Sequence, residues 1–199
     1  MNIAVDLDGV LFDTEFWFMT YASLFNLDVK GGKVKNKDGV WVQDRYNWKK
    51  EEIKKYIEKY SFQIEEQAPV MPFAKEVLRV LSKNNKIFVV SSRGNWHEGE
   101  EKVTLKRFKK EKLMFEKILF KQHSKVQACL ENKIDIMIDD YPKNAVELAE
   151  KGIKCLYYRD LTKESVEHKN VTEVRNWGEI AVELIKLGII EKSELNINL

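Results

Sequence analysis

Four short apolar runs constrain the fold of this chain more than any other feature. They lie at residues 3–7, 86–90, 134–138 and 153–157, and stretches with helical periodicity separate them. A shorter candidate of the same kind occupies 117–120. Apolar runs of this length, bounded by polar loops, read as strands. Their alternation with helices argues for an α/β fold built on a parallel sheet. Pro72 suits the first turn of a helix carrying Phe73, Val77, Leu78 and Leu81 on its face. Residues 98–112 are amphipathic and highly charged, as in an outer helix, and about 176–190 reads as a helix that packs back on the core. The tail from about Glu191 is expected to be loose.

A chain of 199 residues can form one domain with a modest insert. Its net charge is +2, from 34 basic and 32 acidic residues, so nothing marks a nucleic-acid or membrane surface. There is no apolar run of membrane-spanning length and no signal-peptide pattern, and a soluble cytoplasmic protein is expected. Cys129 and Cys155 fall in an expected helix and strand and read as reduced core residues.

Two of the runs end in paired acids. Ile3-Ala4-Val5 leads into Asp6-Leu7-Asp8-Gly9-Val10, and Ile134–Ile138 leads into Asp139-Asp140. Carboxylates at i and i+2 can reach one small site if the strand breaks into a loop there, and Gly9 supplies the break. Such a pair repels itself unless a cation or a shared proton compensates. That points to a metal-assisted site with one carboxylate as nucleophile and one as acid/base, although an ordinary Asp-Gly turn has the same local pattern. Asp139-Asp140 are plausible Mg²⁺ ligands, since Mg²⁺ takes hard oxygen donors, but acids at a helix N-terminus are also favoured by the dipole alone.

Two further segments could meet an anion, although an ordinary Ser/Gly connector and one more solvated Lys in a Lys-rich chain would look the same. Ile87–Val90 is followed by Ser91-Ser92-Arg93-Gly94-Asn95, where hydroxyls and backbone N–H groups could cradle an anion. Asn95 and Glu98 have capping-box spacing for a helix starting there. Ser124-Lys125-Val126-Gln127 fits the same box, which sets Lys125 in a first helical turn. A Lys is unfavourable at that end of the dipole unless an anion lies opposite. His97, His123 and His168 lack metal-ligand spacing.

In this order the four segments resemble the haloacid dehalogenase-like (HAD) hydrolases. D-x-D-G-V stands at Asp6–Val10, an apolar run plus Ser at Ser91, a Lys at Lys125 and D-D at Asp139-Asp140. The resemblance runs from Met1 to about Tyr158, and Val174–Ile180 looks like the last segment of small HAD nucleotidases. It implies a three-layer Rossmann-like core with a parallel sheet, over 1–13 and 72–190, with a small helical cap at 14–71 after the first strand. It also implies a Mg²⁺-dependent phosphomonoesterase. Asp6 attacks the phosphate, and Asp8 is the acid/base. Ser91 donates to the phosphate, with Ser92 as rival. Lys125 balances charge, with Lys121 as rival. The metal is held by Asp6, the Asp8 carbonyl, and Asp140 more directly than Asp139.

The connection at 14–71 is far longer than a crossover requires. It holds an aromatic helix, a turn signal at Asn36–Gly39 and a Lys/Glu-rich helix from about 49 to 60. The D-G-V-L-F-D run and the Ser-Ser-Arg loop look like the 5′(3′)-deoxyribonucleotidase branch and the bacterial nucleotidases near it. That branch often has an aromatic directly after the later Asp, where this chain has Thr14. Substrate contacts are therefore expected among Ser92, Arg93, Phe16, Trp41, Arg45 and Trp48, although cap aromatics more often form the cap's own core. The expected partner is a small phosphate monoester, met by a monomer or homodimer. The alternatives are a sugar-phosphate phosphatase or mutase, and a non-catalytic phosphate-binding module.

Overall fold

Each apolar run becomes a strand whose two sides are both covered. A computed structural model describes residues 1–39, 41–159 and 163–195. The strands are β1 (Asn2–Val5), β2 (Lys86–Val90), β3 (Lys117–Leu119), β4 (Ile136–Asp139), β5 (Lys154–Tyr158) and β6 (Val171–Val174). They pair in parallel in the order β3-β2-β1-β4-β5-β6. Ile3, Val5, Ile87, Val89, Ile136 and Ile138 enter one core, whereas Ala4, Phe88, Val90 and Met137 enter another. Side chains alternate across a sheet, so a strand covered on both sides has to be apolar at every position. The α/β fold with a parallel sheet is therefore as expected.

Helices complete the layers. The first core also holds side chains of α4 (Ala74–Leu81), α5 (Glu100–Glu111) and α8 (Trp177–Lys186). The opposite face is covered by α6 (Lys125–Glu131) and α7 (Pro142–Glu150). Cys129 in α6 and Cys155 in β5 are both buried free thiols. No helix among the described residues is long and apolar enough to cross a membrane.

Several local expectations shift. β6 was not foreseen, because Val171-Thr172-Glu173-Val174 is only half-buried at the sheet edge and lacks a continuous apolar pattern. Phe73 is the N-cap of α4 in a left-handed conformation and points away from the buried face. The Asn95–Glu98 box does not start α5, which opens after Gly99. Ser124 does stand at the N-cap of α6, but its side chain makes no cap bond, and Gln127 turns to Glu131 at 2.6 Å. The tail is not loose throughout: a 3-10 turn at Lys192–Glu194 brings Leu195 into the core. Residues 196–199 lie outside the described part.

The long connection forms a helical insert: α1 (Thr14–Lys30), α2 (Val42–Arg45) and α3 (Lys50–Gln67). Its two ends run antiparallel, with Asp13 N–H on the Pro69 carbonyl and Met71 N–H on the Leu11 carbonyl, both 2.9 Å. The aromatics make a separate core of Phe25, Tyr46, Trp48 and Tyr56. Tyr46 and Trp48 stack at 5.0 Å, and Trp48 Nε1 donates to Asn26 Oδ1 at 2.9 Å. A buried indole with its N–H satisfied is a packing residue. Trp48→Ala is expected to destabilise the protein by about 3–5 kcal/mol in urea unfolding. A loss below about 1 kcal/mol would contradict this packing role.

Candidate active site

The strand order puts the motifs together. β1 is central, with β2 on one side and β4 on the other, so the order in which strands are added reverses there. The C-terminal ends of strands at such a reversal leave a crevice for ligands. Asp6 and Ser91 follow β1 and β2 directly, Asp139 is the last residue of β4, and Asp140 follows it. Asp6 N–H continues the ladder to the Ile138 carbonyl at 2.9 Å. The backbone then turns at Gly9, whose φ is +72°. Trp177 Nε1 on the first turn of α8 donates to the Val10 carbonyl at 2.8 Å and fixes the loop from behind.

Gly9 serves a purpose beyond the turn. A Cβ built there would collide with Asp140 Oδ2. Gly9→Ala is expected to cost about 1–3 kcal/mol for the left-handed backbone alone. It should also displace Asp140. Thermal melts with and without MgCl₂ check this: the Mg²⁺-dependent rise in Tm should shrink in the variant, and an undiminished rise would count against the geometry.

Three carboxylates converge. Asp6, Asp139 and Asp140 each offer an oxygen within 4.8 Å of the others. Lys125 Nζ lies 2.6 Å from Asp6 Oδ2 and 2.7 Å from Asp139 Oδ2. Burial works to lower the Lys125 pKa, but Asp139 and Asp6 outweigh it and hold the ammonium charged. Lys121, its rival, is a surface residue 3.3 Å from Glu101. Asp139 is fully engaged: besides Lys125, it accepts from Tyr141 N–H at 2.9 Å and Asn144 Nδ2 at 3.0 Å. Asp140 instead meets Lys163 at 2.6 Å, and Lys163 also reaches Glu15 at 2.8 Å.

The electrostatics fit a cation. Burial pushes the Asp6 carboxyl up to about 7 despite Lys125. Burial also raises Asp140 well above the usual carboxylate range, with Glu15 and Asp6 adding to it and Lys163 opposing it. Hard oxygens, closely spaced and short of positive charge, suit a small divalent ion. Asp6 takes one partner on each oxygen, Leu7 N–H at 2.8 Å and Lys125, and Asp140 meets Lys163, so both keep acceptor capacity for such an ion, whereas Asp139 is more fully occupied.

Asp8 faces a different partner. Arg93 forks onto it, Nε to Oδ2 at 2.9 Å and Nη2 to Oδ1 at 2.6 Å. Burial would raise the Asp8 pKa, but the Arg93 charge and hydrogen bonds, with Thr14 and Lys125, hold it below the usual range. Arg93 is itself buried and bonds Thr104 at 3.0 Å. It is therefore not a surface ion pair. Ser91 is buried, and its Oγ accepts from Arg93 N–H at 3.2 Å; Ser92 is exposed at the cavity wall.

A cavity of about 550 Å³ opens above these groups. Asp6, Asp8, Ser92, Arg93, Lys125 and Asp140 line it on the strand side, and Trp41 lines it from the insert. Phe16, Arg45 and Trp48 are not among the lining residues. Phe16 points outward at 66% exposure, Arg45 donates to the Lys37 carbonyl, and Trp48 belongs to the insert's core. The insert contributes other side chains instead: Phe18 and Met19 from α1, and Ile53, Ile57, Ser61 and Glu65 from α3. His123 also reaches the wall. Thr14, Asn144, Lys163 and Glu65 were missed from sequence. Thr14 had a local signal, since its hydroxyl accepts from Gly9 N–H at 3.1 Å within the same loop. Asn144 is likewise local, five residues beyond the Asp139 it bonds, whereas Lys163 and Glu65 come from distant segments.

Glu65 is the least expected. It is 4% exposed, and burial raises its carboxyl to about 8. Because the folded pKa exceeds the unfolded value, the folded state holds a proton that the unfolded state has already released. Stability should therefore fall as pH rises from about 4.5 to about 8. Glu65→Gln is expected to flatten that slope and to be the more stable form at pH 8, by up to about 4 kcal/mol. Parallel stability curves for the two proteins across this window would refute it.

Solved structures share this architecture. A haloacid dehalogenase-like hydrolase from Streptococcus pneumoniae aligns with a TM-score of 0.65 and 14% identity, over 92% of this chain and 97% of that one. A Clostridium acetobutylicum structure described as a predicted phosphatase aligns with a TM-score of 0.66 and 17% identity, over 93% and 98%. The fold, with the four motifs brought to one crevice, is the one seen in solved HAD-superfamily hydrolases. In sequence the chain is 26% identical over 198 residues to a Clostridium acetobutylicum protein named a nucleotidase, covering 98% of this chain and 97% of the relative. No family model matches the chain.

Proposed function

We propose that this protein is a Mg²⁺-dependent phosphomonoesterase that hydrolyses nucleoside monophosphates through an aspartyl-phosphate on Asp6. The observation that carries the reading is the Asp6 carboxylate, 2.6 Å from Lys125 on the floor of a cavity that Asp8 also lines. Asp6, Asp140 and the Asp8 carbonyl would hold the ion, with Asp139 supporting from behind. When bound, Mg²⁺ supplies positive charge that lets an anionic carboxylate approach an anionic ester.

The side chains divide the remaining work. Asp6 Oδ attacks phosphorus, and the bond to the ester oxygen breaks. Asp8 gives that oxygen its proton. Asp8 then takes a proton from water, whose oxygen attacks the same phosphorus and frees Asp6 and inorganic phosphate. Lys125 neutralises charge throughout, and Ser91 or Ser92 donates to the phosphate. Asp8 has to be protonated before it can act, and the Arg93 fork opposes that. A substrate phosphate beside Arg93 offers the guanidinium a competing anion, and a shift of the fork toward it would raise the Asp8 pKa.

The insert, residues 14–71, acts as a cap that selects the leaving group. Its apolar wall of Phe18, Met19, Ile53 and Ile57 suits a nucleoside, and the relative named a nucleotidase supports that class. The test is a screen of phosphomonoesters with and without Mg²⁺. Nucleoside monophosphates should give the highest kcat/KM, and chelation should abolish turnover. Preference for sugar phosphates would reassign the substrate. No turnover of any ester, p-nitrophenyl phosphate included, would leave a binding module.

A further inference from the structure

We infer that Ser61 and Glu65 bind a hydroxyl group of the leaving group, so that the protein favours phosphate esters hydroxylated near the ester carbon. The inference rests on the phosphatase reading and adds to it what the cap recognises.

Ser61 and Glu65 stand four residues apart on α3, which makes them neighbours on one helix face. Both line the cavity that Asp6 and Asp8 share. They are 2% and 4% exposed. Ser61 Oγ and Glu65 Oε2 are both buried without a hydrogen-bond partner. Buried polar groups are almost always paired, and leaving two adjacent ones unpaired is costly. Two such atoms facing one cavity point to a ligand that completes them.

The surroundings identify its chemistry. Burial pushes the Glu65 carboxyl up to about 8, so near neutral pH it holds a proton, and its unpartnered Oε2 is left as an acceptor. Ser61 Oγ–H can donate. One hydroxyl accepts from Ser61 and donates to Glu65, and so satisfies both. Arg93 and Asp8 line the same cavity and both act electrostatically on the Glu65 carboxyl, so the inferred hydroxyl lies toward the Asp8 end of the cavity. A base edge lies too far along a nucleotide for this position, and the apolar wall of Phe18, Met19, Ile53 and Ile57 suits the base instead.

Two matched pairs test this by kcat/KM: thymidine 5′-monophosphate against its 3′-deoxy analogue, and glycerol 1-phosphate against propyl phosphate. The wild type should favour each hydroxylated member by about 100-fold or more, as sites built around a substrate hydroxyl do. Ser61→Ala and Glu65→Met should each reduce that ratio to about 10-fold or less. A purely structural role would lower both members alike and keep the ratio. An absent preference in the wild type, or an unchanged ratio in both variants, overturns the inference. Turnover of the glycerol pair alone, with its preference lost in the variants, supports the hydroxyl site and overturns the nucleotide reading.

Discussion

Asp6→Asn is expected to lower phosphatase turnover by about four orders of magnitude or more, because an amide cannot replace a carboxylate in the attack we propose for Asp6. The fold should survive. Asn has the same shape, and Asp6 is buried with its carboxyl already pushed up to about 7. Removing that charge removes a desolvation cost, and Lys125 keeps Asp139 at 2.7 Å. Equal or higher Tm with lost activity is the expected pair of results. Near-wild-type Mg²⁺-dependent turnover in a folded Asp6→Asn protein would end the covalent mechanism. Asp8→Asn should fail later in the cycle, with phosphoenzyme accumulating in rapid-quench samples, because water activation needs that carboxylate.

Lys125→Ala should reduce kcat by about two orders of magnitude or more, the usual loss for one preorganised charge contact. It should also be destabilising, by about 3–5 kcal/mol, since Asp6 and Asp139 would lose the cation they share. Asn144 and Tyr141 N–H hold Asp139 in place but carry no charge to balance it. Lys121→Ala should stay within about twofold in kcat, as expected of a surface pair. Steady-state kinetics and urea unfolding on both variants separate the two lysines. A crippled Lys121→Ala beside a mild Lys125→Ala would overturn the assignment.

The convergence of these motifs was legible in the sequence for a physical reason. Asp6 and Ser91 follow an apolar strand directly, Asp139-Asp140 stand at the end of another, and Lys125 opens a helix. A strand buried on both faces leaves an unbroken apolar run, and the polar residue after it stands at the sheet's C-terminal edge. Such positions are set by a few neighbouring residues, so order and spacing are enough to find them. β6 shows the limit: half-buried at an edge, its Thr172 and Glu173 interrupt the pattern that betrayed the other strands.

Capping boxes were less reliable. Ser124 marks the start of α6 without making the bond its spacing suggested, and Asn95 marks no helix start. Glu100 takes up the loop N–H groups there, and a side chain reaching back from the next helix leaves no local signature.

The insert divides most clearly. Its length and aromatic content were plain from the chain, and they sufficed to expect a helical element after the first strand. Which aromatics face the cavity was decided by tertiary packing alone. Trp48 stacks on Tyr46 and bonds Asn26, while Trp41 turns toward the strand ends. An aromatic ring buries as much area in a helical core as against a ligand, so composition cannot distinguish the two. The same holds for Lys163 and Glu65, polar residues in ordinary loop or helical sequence. Only the folded chain brings them to Asp140 and Arg93. Residue order along the strands determined where the carboxylates and Lys125 would gather; long-range packing of the insert decided the shape and polarity of the cavity wall that faces them.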